Sequence, residues 1–276
     1  IKEQIQRLKK TNAKKFPLFD FKTNNSVRGS PQHDGDRKLQ QYSVMCSEGY
    51  IGYEFWGGLA FDILNNYLNN LPGKTWTLCP NTVFNGDISI DVSGSELTYL
   101  WVLQSNTVLR CGTSGSSDGN CIIANGGFSG VTIERADSDP AVTGVQLQGL
   151  TFGTTSTYGA NVYGVVAQDD TEATIQDCVF EGTVSTNDAL YFGVFTSGGV
   201  VLSIVDSEFS NNIYGTGIVA GSSSVSISRT RFDDNFNVYT NNMISAINGG
   251  TLVMTDSCFT KNIGVFADGV VIIDAT

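Results

Sequence analysis

The sequence predicts an all-β protein, a right-handed single-stranded parallel β-helix of about seven coils. Residues 145–276 contain five hexapeptides with alternating apolar residues and a terminal Phe, namely LQGLTF, IQDCVF, IVDSEF, ISRTRF and MTDSCF, ending at Phe152, Phe180, Phe209, Phe232 and Phe259. These Phe residues are 28, 29, 23 and 27 residues apart, which suits one coil of a solenoid better than a propeller blade. A unit of this length cannot bury its apolar side alone, so the copies must stack.

Further residues recur at fixed distances from each Phe. Five residues before it stand Leu147, Ile175, Ile204, Ile227 and Met254, and seven before it stand Val145, Ala173, Leu202, Val225 and Leu252. Three residues after it come Thr155, Thr183, Asn212, Asn235 and Asn262. Equivalent residues of successive coils lie one strand spacing apart, about 4.8 Å. We therefore expect apolar columns inside the coils and a ladder of hydrogen-bonded Asn side chains at a corner.

These patterns resemble secreted β-helix proteins of the pectate-lyase-like superfamily. The resemblance covers roughly residues 75–276. It implies the fold more strongly than a function, because one fold carries many unrelated activities.

The segment that precedes the repeats divides into two parts. Residues 1–45 are polar and basic, which predicts an N-terminal arm or the remnant of a processed pro-region. In residues 46–74, apolar side chains recur at helical spacing, namely Trp56, Leu59, Ile63, Leu64, Tyr67 and Leu68. We expect this helix to cap the open N-terminal end of the β-helix. A stripe of Trp and Tyr can also line a ligand groove.

The β-helix is predicted to span residues 75–276, with its first coil beginning at Thr75. The segment Asn81-Thr82-Val83-Phe84 recurs as Asn106-Thr107-Val108-Leu109. This repeat places Phe84 and Leu109 at equivalent positions, and with the five later Phe residues it gives seven coils. The second coil carries a polar loop, Gly112 to Asn120, and another around Asp137 to Pro140.

The last repeat contains Gly269-Val-Val-Ile-Ile, which matches Gly164-Val-Val-Ala, Gly193-Val-Phe-Thr and Gly217-Ile-Val-Ala and predicts a final strand. The sequence stops within this coil, with no polar coil or amphipathic helix after it. We expect apolar side chains and an unpaired strand edge there to bind other copies of the protein or extracellular partners. The alternative is that the natural chain continues.

The charge distribution and the cysteine content limit which partners the protein can bind and in which cellular compartment it occurs. Residues 1–74 hold 11 basic and 7 acidic residues, whereas residues 75–276 hold 5 and 20. Such an acidic solenoid excludes nucleic acid as a partner. We interpret the acidic surface as one that keeps the protein soluble. The alternative is that it binds divalent cations or the basic arm of a neighbouring copy. No apolar run approaches the length of a membrane span. Six Cys in a Gly-, Ser- and Asn-rich chain predict a secreted or cell-surface protein, glycosylated at the sequon of Asn24.

The cysteines fall into two classes. Cys111 and Cys121 bracket the polar loop and are predicted to form a disulfide, and a bond between Cys46 and Cys79 would attach the cap to the first coil. Cys178 and Cys258 lie three coils apart, about 14 Å at the strand spacing, which is too far for a disulfide. They are either small unreactive side chains or thiols that form an intermolecular bond.

One column combines acidic and basic residues. The third residue before each of the last four repeat Phe residues is Asp177, Asp206, Arg229 or Asp256. Opposite charges at strand spacing predict a salt-bridge ladder, with Glu208 and Arg231 as a second pair. The resemblance implies another role, because β-helix polysaccharide lyases pair Ca²⁺ held by acidic side chains with an Arg or Lys that abstracts a proton from a uronate. On that alternative, Asp177 and Asp206 would hold Ca²⁺ beside the base Arg229, with Asp256 next to it.

The ladder is our interpretation of this column, because Asp at the end of a strand commonly accepts backbone hydrogen bonds at a corner. The single His is His33, so the Gly-His-Gly element of polygalacturonases and a Ser-His-Asp set are both absent. The sequence thus predicts a non-enzymatic structural protein without cofactor, in a surface layer, a matrix or a filament such as a flagellar hair. The alternative is a calcium-dependent polysaccharide lyase, or another carbohydrate-active β-helix protein.

Overall fold

The computed structural model describes the protein in eleven stretches, which are residues 50–51, 68, 73–86, 100–125, 129–135, 140–154, 162–181, 191–212, 215–237, 243–264 and 271–272. Almost all of these residues lie in β-strands or in the corners between strands. The exceptions are Leu68, which is helical, and a short 3₁₀ turn at Ser117–Gly119. None of the described helical residues belongs to a segment long and apolar enough to cross a bilayer.

Short strands of two to seven residues follow one another along the chain. The first twelve are β1 (Tyr50–Ile51), β2 (Thr75–Leu78), β3 (Val83–Gly86), β4 (Leu100–Val102), β5 (Val108–Cys111), β6 (Cys121–Asn125), β7 (Ser129–Ile133), β8 (Val145–Gln148), β9 (Leu150–Thr154), β10 (Val162–Gln168), β11 (Glu172–Gln176) and β12 (Val179–Glu181). The next twelve are β13 (Tyr191–Ser197), β14 (Val201–Val205), β15 (Glu208–Ser210), β16 (Gly215–Gly221), β17 (Ser224–Ser228), β18 (Arg231–Asp233), β19 (Phe236–Asn237), β20 (Ile244–Ile247), β21 (Thr251–Thr255), β22 (Cys258–Thr260), β23 (Ile263–Gly264) and β24 (Val271–Ile272).

The described strands form three large parallel sheets that the chain visits in rotation. Sheet A has the order β1-β2-β5-β8-β11-β14-β17-β21, sheet B the order β3-β6-β9-β12-β15-β18-β22, and sheet C the order β4-β7-β10-β13-β16-β20-β24. The small pair β19-β23 lies between sheets B and C in chain order. Because each return to a sheet adds a strand beside the previous one, the topology is compatible with a parallel β-helix.

The columns predicted from the Phe-ended hexapeptides are confirmed. Phe152, Phe180, Phe209, Phe232 and Phe259 are neighbours in sheet B, and their rings stack with centroids 4.4 to 4.9 Å apart. The residues five and seven positions before each of these Phe residues are in register along sheet A. Most members of the three columns are fully buried in one continuous core. The alternation of apolar and polar residues in each hexapeptide turns the apolar set inward.

Near the two ends of the stack, the structure corrects two predicted alignments and adds one strand. Phe84 pairs with Ile123 in sheet B, whereas Leu109 pairs with Trp76 in sheet A, so the repeat that equated Phe84 with Leu109 is wrong. That repeat matched a sequence motif that two different sheets share. Val271 rather than Val270 pairs with Ile244, one residue away from the predicted alignment. Strand β1 was not predicted, and it pairs with β2 at the edge of sheet A.

A column of glycines in sheet C faces the Phe rings. A Cβ added to Gly164 would lie 2.8 Å from Phe180 Cδ1 and 2.6 Å from the carbonyl oxygen of Gly193. A Cβ on Gly130 would meet Phe152 at 3.2 Å. The recurring Gly in the sequence therefore makes room for the ring that lies across the interior.

Several predictions concern residues outside the described stretches. They are the basic arm 1–45 with the sequon at Asn24, residue Cys46, the cap helix apart from Leu68, and the ladder positions Thr155 and Thr183. Leu68 is fully buried and belongs to the core.

Candidate functional site

The charged column predicted from the sequence lies at the corner between sheets A and B. Its members Asp177, Asp206, Arg229 and Asp256 each follow a strand of sheet A and adopt the left-handed conformation, with φ between 48° and 52°. The same position in earlier coils is held by Asn81, Asn120 and Gly149, also with positive φ. Gly, Asn and Asp tolerate this conformation, whereas Arg rarely adopts it. The chain therefore needs the left-handed backbone conformation at this corner, and both charged and uncharged residues adopt it there.

Arg229 and Asp206 form a bidentate ion pair across two coils. Nε of Arg229 donates to Oδ1 of Asp206 at 2.6 Å, and Nη2 donates to Oδ2 at 2.8 Å. Hydrogen bonding from Arg229 lowers the pKa of Asp206, and hydrogen bonding to Asp206 raises the pKa of Arg229. Asp256 adds an electrostatic attraction to Arg229. Both side chains are largely exposed, so water screens the pair.

Asp177 has a different partner from the one the lyase alternative requires. Its Oδ1 accepts a hydrogen bond of 2.9 Å from the hydroxyl of Ser117, in the polar loop 112–120. This loop lies against the corner one coil earlier, where a Cβ on Gly149 would come within 2.5 Å of the backbone of Ser116. The loop thus covers part of the corner and holds the carboxylate of Asp177.

The second predicted ion pair is not the one that forms. Glu208 and Arg231 are neighbours in register, but Arg231 donates through Nη2 to Asp233 at 2.6 Å on its own strand. Oδ1 of Asp233 also accepts a 2.6 Å hydrogen bond from the hydroxyl of Thr260. This hydrogen bond and the nearby cations lower the pKa of Asp233. Asp233, two residues away on the same side of the strand, therefore takes the place of the cross-strand neighbour Glu208 as the partner of Arg231.

The predicted Asn ladder is present in the three coils that the structure describes at this position. Nδ2 of Asn212 donates to Oδ1 of Asn235, and Nδ2 of Asn235 donates to Oδ1 of Asn262, both at 2.9 Å. Each Nδ2 also donates to the carbonyl oxygen of a Phe, at 2.8 to 3.0 Å. The ladder satisfies buried amides and corner carbonyls, which makes it structural.

The cysteines separate as expected from their spacing. Cys111 and Cys121 form a disulfide with their Cα atoms 5.5 Å apart, and Cys79 is also disulfide-bonded. Cys178 and Cys258 are free. Burial raises the pKa of the Cys178 thiol to about 12, and the thiol lies 3.3 Å from the carbonyl oxygen of Gln176. Cys178 is therefore closed to an intermolecular bond in the folded chain, whereas Cys258 is exposed.

Cys178 belongs to a column that sequence reasoning missed. The residue two before each of the last four repeat Phe residues is Cys178, Ser207, Thr230 or Ser257. The three hydroxyls donate to the carbonyl oxygen two residues earlier at 2.9 to 3.0 Å. The hydroxyl of Ser207 accepts the backbone N–H of Cys178, and that of Ser257 accepts the N–H of Thr230. Aligning the repeats at the position two before Phe would have revealed this column. It would also have shown that Cys178 occupies a position where later coils have Ser or Thr.

The corner as a whole is poorly equipped for metal or base chemistry. Both carboxylate oxygens of Asp206 bind a guanidinium, whose charge also repels a cation at Asp177. A base must lose its proton, and the raised pKa of Arg229 works against that. Within the described stretches, no group of three or more His, Cys, Asp or Glu side chains could hold a metal ion. The contact of Ser117 with Asp177 could not have been found from the sequence, because it joins residues 60 positions apart outside the repeat.

No protein-family model, curated protein or solved structure matches this chain.

Proposed function

We propose that the protein is a non-enzymatic extracellular scaffold built on a right-handed parallel β-helix of about seven coils. The rotation of the chain through three parallel sheets supports the β-helix. Right-handedness follows the general preference of parallel β crossovers. Seven described strands in sheet B support the number of coils.

The observation that carries this function is the closed ion pair of Arg229 with Asp206. A lyase site needs carboxylates that are free to hold Ca²⁺ and a basic side chain directed at substrate. Here the carboxylate and the guanidinium bind each other through two hydrogen bonds. Uncharged residues hold the same corner position in other coils, so the recurrence of the column has a structural cause.

A capping helix within the region 46–74, after strand β1, is part of this proposal. Leu68 supports it, because this helical residue is fully buried in the same core as Leu78 and Leu100 from the first coil. Strand β1 also covers the β2 edge of sheet A. A solenoid needs such a cover to keep its first coil from exposing apolar side chains and unpaired backbone.

Secretion is supported by the cysteines. The bonds of Cys111 with Cys121 and of Cys79 persist only in an oxidising compartment, such as the secretory pathway or the cell exterior. We propose that the protein acts there by assembling with other copies in a surface layer, a matrix or a filament. Glycosylation at Asn24 is part of the same proposal.

An assay of polyuronate cleavage tests the scaffold against the lyase. Wild type and Arg229→Gln would be incubated with a panel of polyuronates, with and without Ca²⁺, while ultraviolet absorbance follows the unsaturated product. The scaffold predicts no product from either protein. Calcium-dependent product from the wild type that disappears in Arg229→Gln would replace our proposal with the lyase.

A further inference from the structure

The outer face of sheet A is open along five neighbouring strands, β8, β11, β14, β17 and β21. The outward side chains of these strands alternate with the core residues and form three columns in register. All of them are exposed or half-buried, and from the carboxyl to the amino ends of the strands they are Gln148, Gln176, Val205, Ser228 and Thr255, then Gln146, Thr174, Ser203, Ser226 and Val253, and then Glu172, Val201, Ser224 and Thr251. We call this surface the sheet A face.

The sheet A face is almost uncharged. Glu172 is its one charged member, and Arg110 on the neighbouring strand β5 balances it. Residues 75–276 as a whole hold 5 basic and 20 acidic residues. The cores of protein interfaces are likewise depleted of charged side chains. An acidic molecule thus presents one open face on which a partner meets no excess of negative charge.

The other two large sheets are less suited to such a contact. The described strands of sheet B carry three acidic residues and one basic residue. The described strands of sheet C carry no charged residue, but their outer row is already covered. Val166 and Val219 lie outside the core cluster and are still only 6% and 7% exposed. Sheet A is therefore the sheet whose outer face is both uncharged and open.

The sheet A face also carries the two most exposed large apolar side chains of the described residues. Val201 is 53% exposed and Val253 is 61% exposed. Val201 lies on β14, between β11 and β17, so its exposure does not depend on where the stack ends. Short Val, Ser and Thr side chains from two such faces can interdigitate, as they do in sheets stacked about 10 Å apart.

The lack of charge favours a second copy of the protein over a polysaccharide as the partner. Carboxylates do not repel a neutral polysaccharide, so its binding would not require an uncharged face. A polyuronate would require basic side chains, but Arg110 already donates through Nε to the hydroxyl of Thr77 at 3.0 Å. Another copy of this acidic chain is repelled wherever acidic surfaces meet, and the sheet A face is where that repulsion is smallest.

We propose that two copies of the protein bind each other side by side through their sheet A faces. This inference rests on the proposed scaffold function and identifies its contact surface. Because both copies use the same surface, the contact closes as a twofold pair. Five strands of four or five residues cover about 24 Å by 17 Å, or about 400 Å² on each copy. Stable complexes bury about 800 Å² on each partner, so the pairing is weak and reversible.

The test is sedimentation of the whole chain over a range of concentrations. Ser226→Lys places a charge in the middle column, at an exposed position of the inner strand β17. Ile247→Lys is the matched control, because it adds the same charge at an exposed position of sheet C. We expect the wild type and Ile247→Lys to form dimers alike. Ser226→Lys should dimerise at least about tenfold more weakly, because its ammonium group would lose water against an uncharged face. Thermal unfolding at low concentration checks that both variants fold.

Salt tests the role of charge in the wild type alone. Salt shortens the range of repulsion between the acidic molecules from about 30 Å at 0.01 M to about 3 Å at 1 M, so dimerisation should strengthen. Weaker dimerisation at high salt would mean that ion pairs join the copies, which would overturn the uncharged contact.

The remaining outcomes separate the contact from the proposed function. If the wild type and Ser226→Lys dimerise equally well, the scaffold function stands and this surface is wrong. Binding of the wild type to insoluble cellulose that Ser226→Lys loses would assign the face to a polysaccharide instead of a second copy. A wild type that stays monomeric at every concentration and salt would overturn both the contact and the assembly of copies on which the scaffold depends.

Discussion

Gly193 in sheet C lies directly against the ring of Phe209 in sheet B, across the interior of one coil. A Cβ added to Gly193 would be 2.5 Å from Cε1 of Phe209 and 2.7 Å from the carbonyl oxygen of Gly217. The Phe column and the Gly column thus depend on each other, because each ring fills space that any larger residue in sheet C would occupy.

The replacement Gly193→Ala should therefore destabilise the fold by about 1–3 kcal/mol, the usual cost of overpacking a core. Gly217→Ala is the matched control, because the nearest atoms to its added Cβ are 3.1 Å and 3.5 Å away. We expect a smaller loss of unfolding free energy there, measured by urea denaturation. Equal losses at the two positions would show that the close contact with Phe209 is not what excludes a side chain.

The replacement Phe209→Ala should cost about 3–5 kcal/mol, because the rings of Phe180 and Phe232 cannot close the cavity without leaving their own register. The surface replacement Val201→Ala provides the comparison and should change stability by less than about 0.5 kcal/mol. The measurement is again the denaturant midpoint with its slope. A loss below about 1 kcal/mol for Phe209→Ala would mean that the ring is not in the core.

Two substitutions of Arg229 separate its ion pair from its backbone strain. Arg229→Gln removes the pair with Asp206 and should lower stability only slightly, because solvent screens exposed pairs. Arg229→Asn also removes the pair, but Asn tolerates the left-handed conformation better than Arg does. The Asn variant should therefore be more stable than the Gln variant in thermal unfolding. The reverse order would mean that the φ of 48° at this corner carries no strain.

Acid should weaken the contribution of Asp206. Its pKa in the folded chain is lowered by the hydrogen bond from Arg229, below the unfolded value of about 4. The pair therefore stabilises the fold above pH 4, and this contribution is lost as the pH falls through the folded pKa. NMR titration should give a higher pKa for Asp206 in Arg229→Gln than in the wild type, while Asp233 changes little. An unchanged pKa for Asp206 would exclude the pair in solution.

The two free thiols should react very differently. Cys258 is exposed, whereas the Cys178 thiol is buried and its pKa is raised to about 12, so little reactive thiolate forms. An alkylating reagent should modify Cys258 within minutes and Cys178 only after unfolding, as mass spectrometry can follow. Cys178→Ser should fold normally, because Ser207 and Ser257 fill the same position in later coils. Rapid labelling of Cys178 in the folded protein would contradict its place in the corner column.

The repeats predicted the fold well where every coil repeats the same chemistry. Phe180, Phe209 and Phe232 could be aligned because burial selects the same large ring at each step. The alignment failed at Phe84 and Leu109, where a short motif, Asn-Thr-Val, serves two different sheets. The number of residues between two such motifs does not show which sheet each belongs to, because long loops change the length of a coil.

The candidate site was predicted less completely, because its contacts depend on side-chain geometry. The vertical pairing of Arg229 with Asp206 followed from register. The choice of Asp233 as the partner of Arg231 did not, since two carboxylates were within reach. The hydrogen bond of Ser117 to Asp177 depends on how the disulfide-closed loop folds back over the corner, which the repeat pattern does not describe.

The proposed function depends on a structural role for the charged corner, in which Arg229 binds Asp206 and is not directed at a uronate. The most direct measurement is a crystal structure of the protein grown with excess calcium chloride and soaked with a uronate oligosaccharide. We predict that Arg229 stays paired with Asp206 and Asp177 with Ser117, with no metal between the two carboxylates. A calcium ion bound by Asp177 and Asp206, or a uronate carboxylate on Arg229, would contradict this account.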